Sequence, residues 1–157
     1  MKVERSGIES MSAVDALLYR GDEHPRGLSA TGALCLLDGS PTQARVMQAL
    51  ERASRAFPRL RQRVIAPSLR VQLPRWVTDP DFDPGDHVRR VDVARPGTMS
   101  DVLDATLPAL SAPLDDDRPL WEAILLDGRE GGGALLFRMS HAVTDGIGAL
   151  RLFAALF

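Results

Sequence analysis

The chain has 157 residues, enough for one domain with its own core and short for two. With 45% apolar and 25% charged residues it has a globular composition, which excludes long disorder, collagen and coiled coil. Nineteen basic residues against 21 acidic ones leave a net charge of −2, which argues against a broad nucleic-acid surface.

The one cysteine, Cys35, cannot form an internal disulfide, and no set of metal ligands at zinc-site spacing accompanies it. No run approaches the roughly 18 apolar residues of a membrane span. The charged start, MKVERSGIES, has no apolar signal core. These features point to a soluble, cytoplasmic protein and leave open a protein lying on a membrane surface.

In chain order, a helix is expected at 12–20, with Ser12 and Asp15 as a capping box, Gly21 as its end, and Val14, Leu17 and Leu18 as the buried stripe. The polar segment holding His24, Pro25 and Gly27 is a loop. Residues 29–37 read as a buried strand closed by the Asp38-Gly39 turn. A second helix opens at Ser40, with Pro41 in its first turn, and buries Val46, Met47, Leu50, Ala53 and Phe57 before Pro58 stops it.

Residues 61–66 and 69–77 form short extended runs, and 78–87 is loop by composition. A strand at 88–93 is followed by a helix from Thr98, capped with Asp101, to about Leu110. Its expected inner face is Met99, Val102, Leu103, Thr106 or Leu107, and Leu110. Two strands at 120–127 and 134–140 flank GREGGG, a hairpin loop. From Asp145 the chain is helical. Ile147, Leu150, Ala154 and Phe157 share one face, with Leu152, Phe153 and Leu156 on others. A helix this apolar all round is expected to be covered, by further sequence or by another chain. Irregular alternation of helices and strands with a hairpin implies an α/β fold with a mixed sheet and packed helices.

The segment that stands out is Ser140-His141-Ala142-Val143-Thr144-Asp145-Gly146, joining a core strand to a helix. A histidine there projects from a sheet edge, and neutral imidazole is a general base near neutral pH. Asp145 could fix the backbone or balance charge, and Gly146 permits close approach of a strand or ligand. Adjacent strand residues point to opposite faces, which disfavours a Ser140–His141 dyad. Cys35 sits in an apolar run and reads as core, not as a thiol nucleophile. A histidine–aspartate pair without a third ligand is not a metal site. Pro119-Leu120-Trp121 opens a strand and reads as core. Asp115 to Asp117 read as solvated loop, Arg75, Arg89 and Arg90 as surface charge, and His24 and His87 carry no catalytic role.

SHAVTDG resembles the HHxxxDG motif of the chloramphenicol-acetyltransferase-like superfamily. MSAVDALLYR, FPRLRQRV, PRWVTDPDFDPGDHVRRV and PLDDDRPLWEAILLDG resemble successive segments of the bacterial wax ester synthase/diacylglycerol acyltransferase family. These matches keep the family's order over nearly the whole chain. Ser140 stands where the motif has its first histidine, and His141 matches the second, the family's general base.

The resemblance implies that residues 1–157 are a single N-terminal acyltransferase domain, a two-layer sandwich half without the family's C-terminal domain. It implies transfer of a fatty acyl group from acyl-CoA to a long-chain alcohol or diacylglycerol. No metal and no cofactor beyond acyl-CoA as substrate is implied. The partners would be fatty acyl-CoA, a hydroxyl-bearing lipid and a second acyltransferase half. Contact with the inner membrane or lipid inclusions is left open. The resemblance also implies an Arg61–Asp145 ion pair, buried behind His141. Two alternatives stay open: a non-catalytic half acting as an interaction module, and a condensation-type transferase using carrier-bound acyl groups.

Overall fold

The structure is a computed structural model that describes residues 8–22, 30–69, 72–144 and 146–156. In chain order the elements are β1 (Ile8–Ser10), α1 (Ala13–Asp22), β2 (Ala30–Leu37), α2 (Gln43–Ala56), β3 (Gln62–Ile65), β4 (Arg75–Thr78), β5 (Val88–Asp92), α3 (Met99–Ser111), β6 (Trp121–Asp127), β7 (Gly133–Ser140) and α4 (Gly146–Leu156). Single 3-10 turns at Pro58–Arg61 and Pro84–His87 lead into β3 and β5.

The main sheet has the order β2-β7-β6-β5, and a smaller antiparallel sheet has the order β1-β4-β3. In the main sheet β7 is antiparallel to both β2 and β6, while β5 runs parallel to β6. This is the mixed sheet with packed helices that the sequence implies. Its side chains alternate between two cores, as the period of two requires. Trp121, Ala123, Leu125, Phe137 and Met139 face α1, α2 and α4. Ile124, Leu126, Ala134 and Leu136 face α3. A layer on the second face is thus added by α3, which lies close. A Cβ built on Gly32 of β2 would stand 2.9 Å from Leu110 Cδ2.

Helix caps follow the sequence in part. Thr98 and Asp101 form a reciprocal capping box at the start of α3. Just before it, Gly97 has φ +86° and a Cβ there would collide with the Gly128 carbonyl, so only glycine fits. In α2 the N-cap is Thr42, not Ser40. Its side chain accepts the Arg45 amide, and Pro41 lies outside the helix. In α1 the Asp15 amide bonds Ser12 Oγ as expected, and the helix runs through Gly21 to Asp22.

The buried faces differ more. In α1 the core residues are Ala16 and Tyr19, whereas Val14, Leu17 and Leu18 are exposed, Leu17 at 73%. In α3 the core residues are Val102, Thr106 and Ala109, and Met99, Leu103, Leu107 and Leu110 are exposed. Apolar periodicity finds both stripes of such a helix and does not tell which one meets the sheet. In α4, Leu152 and Leu156 pack against the core, while Ile147 and Leu150 are exposed. Where an extended run is expected at 69–77, the strand among the described residues is Arg75–Thr78, which starts just after Pro74, a residue that cannot donate to a ladder. The short β1, paired with β4, has no sequence signal of its own. The loop with His24 and Gly27 lies outside the described residues.

Candidate functional site

His141 stands at the end of β7, where the chain turns toward α4. The last strand residue, Ser140, is fully buried and donates its amide to the Leu120 carbonyl at 3.0 Å. Its own carbonyl accepts the Val143 amide at 3.0 Å, and its Oγ accepts the Ala142 amide at 3.1 Å. Ala142 and Val143 are buried, and His141 is exposed. The turn is thus tied down on both sides of an imidazole that reaches solvent. Ser140 serves here as a turn residue. Its Oγ accepts a backbone amide next door.

Cys35 does not approach His141. It pairs with Leu135 in the middle of the sheet, whereas Ser140 pairs with Ala30, five residues away or roughly 17 Å along the strand. Burial raises the Cys35 thiol above its ordinary pKa, which further lowers its thiolate content. Gly146 opens α4, and a Cβ there would meet nothing within 4 Å, so close packing does not require glycine at that position.

Asp145 lies outside the described residues, so the expected pair with Arg61 does too. The Arg61 contacts that are described run to α2 and to Phe82. Its Nη2 lies 2.7 Å from Glu51 Oε1, its Nε donates to Ser54 Oγ at 3.1 Å, and its guanidinium sits 5.0 Å from the Phe82 ring centroid. Hydrogen bonds from Arg55 and then Arg61 hold the Glu51 carboxyl below its ordinary range.

An aromatic column runs through the core between the main sheet and α4. Trp121 stacks on Phe137 with centroids 5.4 Å apart, and Phe137 meets Phe153 of α4 edge-on at 5.8 Å. The Trp121 indole N–H donates to the Leu60 carbonyl at 2.8 Å, which ties the sheet to the Pro58–Arg61 turn. On the other side of Trp121 lies His87, buried and stacked at 4.3 Å with 14° between planes. His87 Nδ1 lies 3.0 Å from the Trp121 carbonyl oxygen, and a carbonyl only accepts, so Nδ1 carries the proton. Burial pushes the His87 pKa below its ordinary value. The charge of Arg118 adds to this, and the Trp121 bond opposes it. Sequence reasoning left His87 as a loop residue, because its burial depends on a strand 34 positions away.

Sequence reasoning also missed Arg138, 4% exposed within β7, which caps the end of α3 and pairs with Glu122. Its signal was an arginine inside the apolar run ALLFRMS. Arg89 meets the other oxygen of Glu122, and Arg118 bridges Asp86 and Asp115, so these arginines are structural or surface groups. Among the described residues no three His, Cys, Asp or Glu side chains are grouped to hold a metal, and no helix is long and apolar enough to cross a membrane.

The fold recurs in solved structures. A wax ester synthase/diacylglycerol acyltransferase from Marinobacter aquaeolei matches 93% of this chain and 36% of its own, with TM-score 0.70 and 24% identity. The starter condensation domain of rhizomide synthetase matches 96% of this chain and 38% of its own, with TM-score 0.76 and 16% identity. A mutant of that domain in complex with C8-CoA gives TM-score 0.77 and 15% identity over 95% of this chain and 34% of that one. These likenesses establish the fold.

In sequence, a Mycobacterium tuberculosis protein that carries a diacylglycerol O-acyltransferase name is 47% identical over 150 residues, covering 95% of this chain and 30% of that protein. Another from the same organism is 33% identical over 149 residues, covering 93% of this chain and 32% of its own length. This chain therefore spans about a third of the length of these relatives. The family model described as the wax ester synthase/diacylglycerol acyltransferase catalytic domain matches residues 11–157, all of the chain but its first ten residues, and the chain belongs to that family.

Proposed function

We propose that this chain carries the base-bearing part of an O-acyltransferase that moves a fatty acyl group from acyl-CoA to a long-chain alcohol or diacylglycerol. The observation that carries this reading is His141, exposed on a turn whose neighbours Ser140, Ala142 and Val143 are buried and bonded. It is supported by membership of the family, and by a likeness in fold to a domain whose complex contains C8-CoA.

An unprotonated imidazole nitrogen of His141 takes the proton of the acceptor hydroxyl as its oxygen attacks the thioester carbonyl carbon. The tetrahedral intermediate collapses with cleavage of the carbon–sulfur bond. The imidazolium returns the proton to the leaving thiolate, giving ester and free coenzyme A. No acyl-enzyme is called for, in keeping with the buried Ser140 hydroxyl and the distant Cys35. No cofactor enters beyond acyl-CoA as substrate. The exposed apolar faces of α1 and α4, Val14, Leu17 and Leu18 with Ile147 and Leu150, suit contact with a second acyltransferase half or with lipid. The proposed setting is the cytoplasmic side of the inner membrane or a lipid inclusion, where the apolar substrates dissolve.

The test is acyl-CoA consumption by the intact protein with fatty alcohol and diacylglycerol side by side, and with a carrier-bound acyl donor as a third arm. Turnover with acyl-CoA is expected, falling by about 100- to 10,000-fold in His141→Ala. Near-normal turnover in that variant overturns the mechanism. Turnover with the carrier-bound donor alone overturns the acyl-CoA assignment.

A further inference from the structure

The start of β6 is held from two sides. Successive carbonyls of a strand point to opposite neighbours. The Leu120 carbonyl points to β7 and accepts the amide of Ser140, the residue before His141. The Trp121 carbonyl points the other way, toward β5, but β5 begins at Val88 opposite Ala123 and has no backbone partner at that level. The side chain of His87, the residue just before β5, fills the place with its Nδ1–H at 3.0 Å. The same ring stacks on the Trp121 indole. His87 is buried, with the Phe82 ring centroid 5.5 Å from its own and a cavity of about 240 Å³ alongside. The bond and the stack set the orientation of the imidazole.

We propose that His87 is a positioning residue for His141. Its imidazole completes the ladder where β5 stops short and fixes the Leu120–Trp121 segment that holds the Ser140 amide. The two requirements explain the residue type. Phenylalanine stacks but cannot donate, asparagine donates but cannot stack, and a histidine with its proton on Nδ1 does both. The kinetic consequence rests on His141 being the base. The structural consequence does not.

Three variants in the intact protein separate the donor from the ring. His87→Phe keeps a stacking ring without a donor, His87→Asn keeps a donor near the Nδ1 position, and His87→Leu removes both. Displacement of a base by a fraction of an ångström lowers turnover and leaves binding intact, so kcat is expected to fall about 10- to 100-fold in the Phe and Leu variants with KM unchanged. His87→Asn is expected to regain most of that loss. Hydrogen exchange of the Ser140 amide supplies a readout independent of activity, about tenfold faster in His87→Phe and restored in His87→Asn. Nitrogen NMR of the wild-type protein is expected to find the His87 proton on Nδ1. Wild-type kcat and Ser140 exchange in the Phe variant, equal damage in the Phe and Asn variants, or a proton on Nε2 each overturns the proposal. If the wild-type protein consumes no acyl-CoA, the enzymatic reading fails, while exchange and NMR still decide the role of His87.

Discussion

Arg138 donates its Nε–H to Glu122 Oε2 at 2.7 Å in the interior of the sheet's α3 face. Its other nitrogens reach the Ala109 and Ala112 carbonyls at 2.5 and 2.6 Å and the Pro113 carbonyl at 3.3 Å. These are carbonyls at the end of α3, where helix dipole and unpaired acceptors favour a cation. One buried guanidinium thus joins β7, β6 and the end of α3. Arg138→Met removes the cation and leaves Glu122 with only Arg89, itself half-exposed. A loss of about 3–5 kcal/mol in unfolding free energy is expected, measured by urea denaturation. A loss below about 1 kcal/mol would mean that the helix end finds other donors.

The buried His87 makes stability depend on pH. Its folded pKa lies below the unfolded value, chiefly through burial, so the unfolded chain binds the proton more readily. The native state keeps its full stability above the unfolded value near 6.5. That stability is lost as pH falls through this value toward the folded one, and the loss levels off below it. The groups facing the ring that bear on its titration are Arg118, Asp86 and Asp79. Denaturation curves at stepped pH are expected to lose this slope in His87→Asn. An unchanged slope would assign it to other groups.

Ser140 stands where the family motif places a histidine, and its hydroxyl satisfies the amide of the buried Ala142. Ser140→Ala strands that amide at a cost of about 1–3 kcal/mol. The turn bearing His141 should loosen with it. Faster exchange at Ala142 is the expected sign, and unchanged protection would show that Ser140 is dispensable to the turn.

What could be seen from the sequence follows what is local. The Thr98–Asp101 capping box, the hairpin strands around GREGGG and the strand-to-helix placement of His141 all rest on residues within a few positions of one another. What escaped depends on distant partners. His87 is buried by Trp121, Arg138 is held by Ala109 and Ala112, and β1 exists only as a neighbour of β4. The α1 stripe failed for a different reason. Val14, Leu17 and Leu18 recur at helical spacing, but so do Ala16 and Tyr19, and side-chain size drew attention to the wrong face. In α3 the expected Val102 and Thr106 are buried together with Ala109, while the same competition had added Met99, Leu103 and Leu110, which are exposed.

The two faces of α1 make the last prediction. Tyr19 is buried in the main core with Ala16 and Met11, so Tyr19→Ala opens a cavity there and is expected to cost about 3–5 kcal/mol. Leu17 touches mostly solvent, so Leu17→Ala should change stability by no more than about 0.5 kcal/mol. An apolar face whose loss leaves the fold intact is available for another surface. If Val14, Leu17 and Leu18 meet lipid or a second half, Leu17→Glu in the intact protein should leave the unfolding midpoint nearly unchanged. It should still reduce turnover of apolar acceptors or recovery with lipid vesicles. Paired denaturation and vesicle-flotation measurements check this. A Leu17→Glu protein that is as stable, as active and as well recovered on vesicles as the wild type would show that this face serves neither contact.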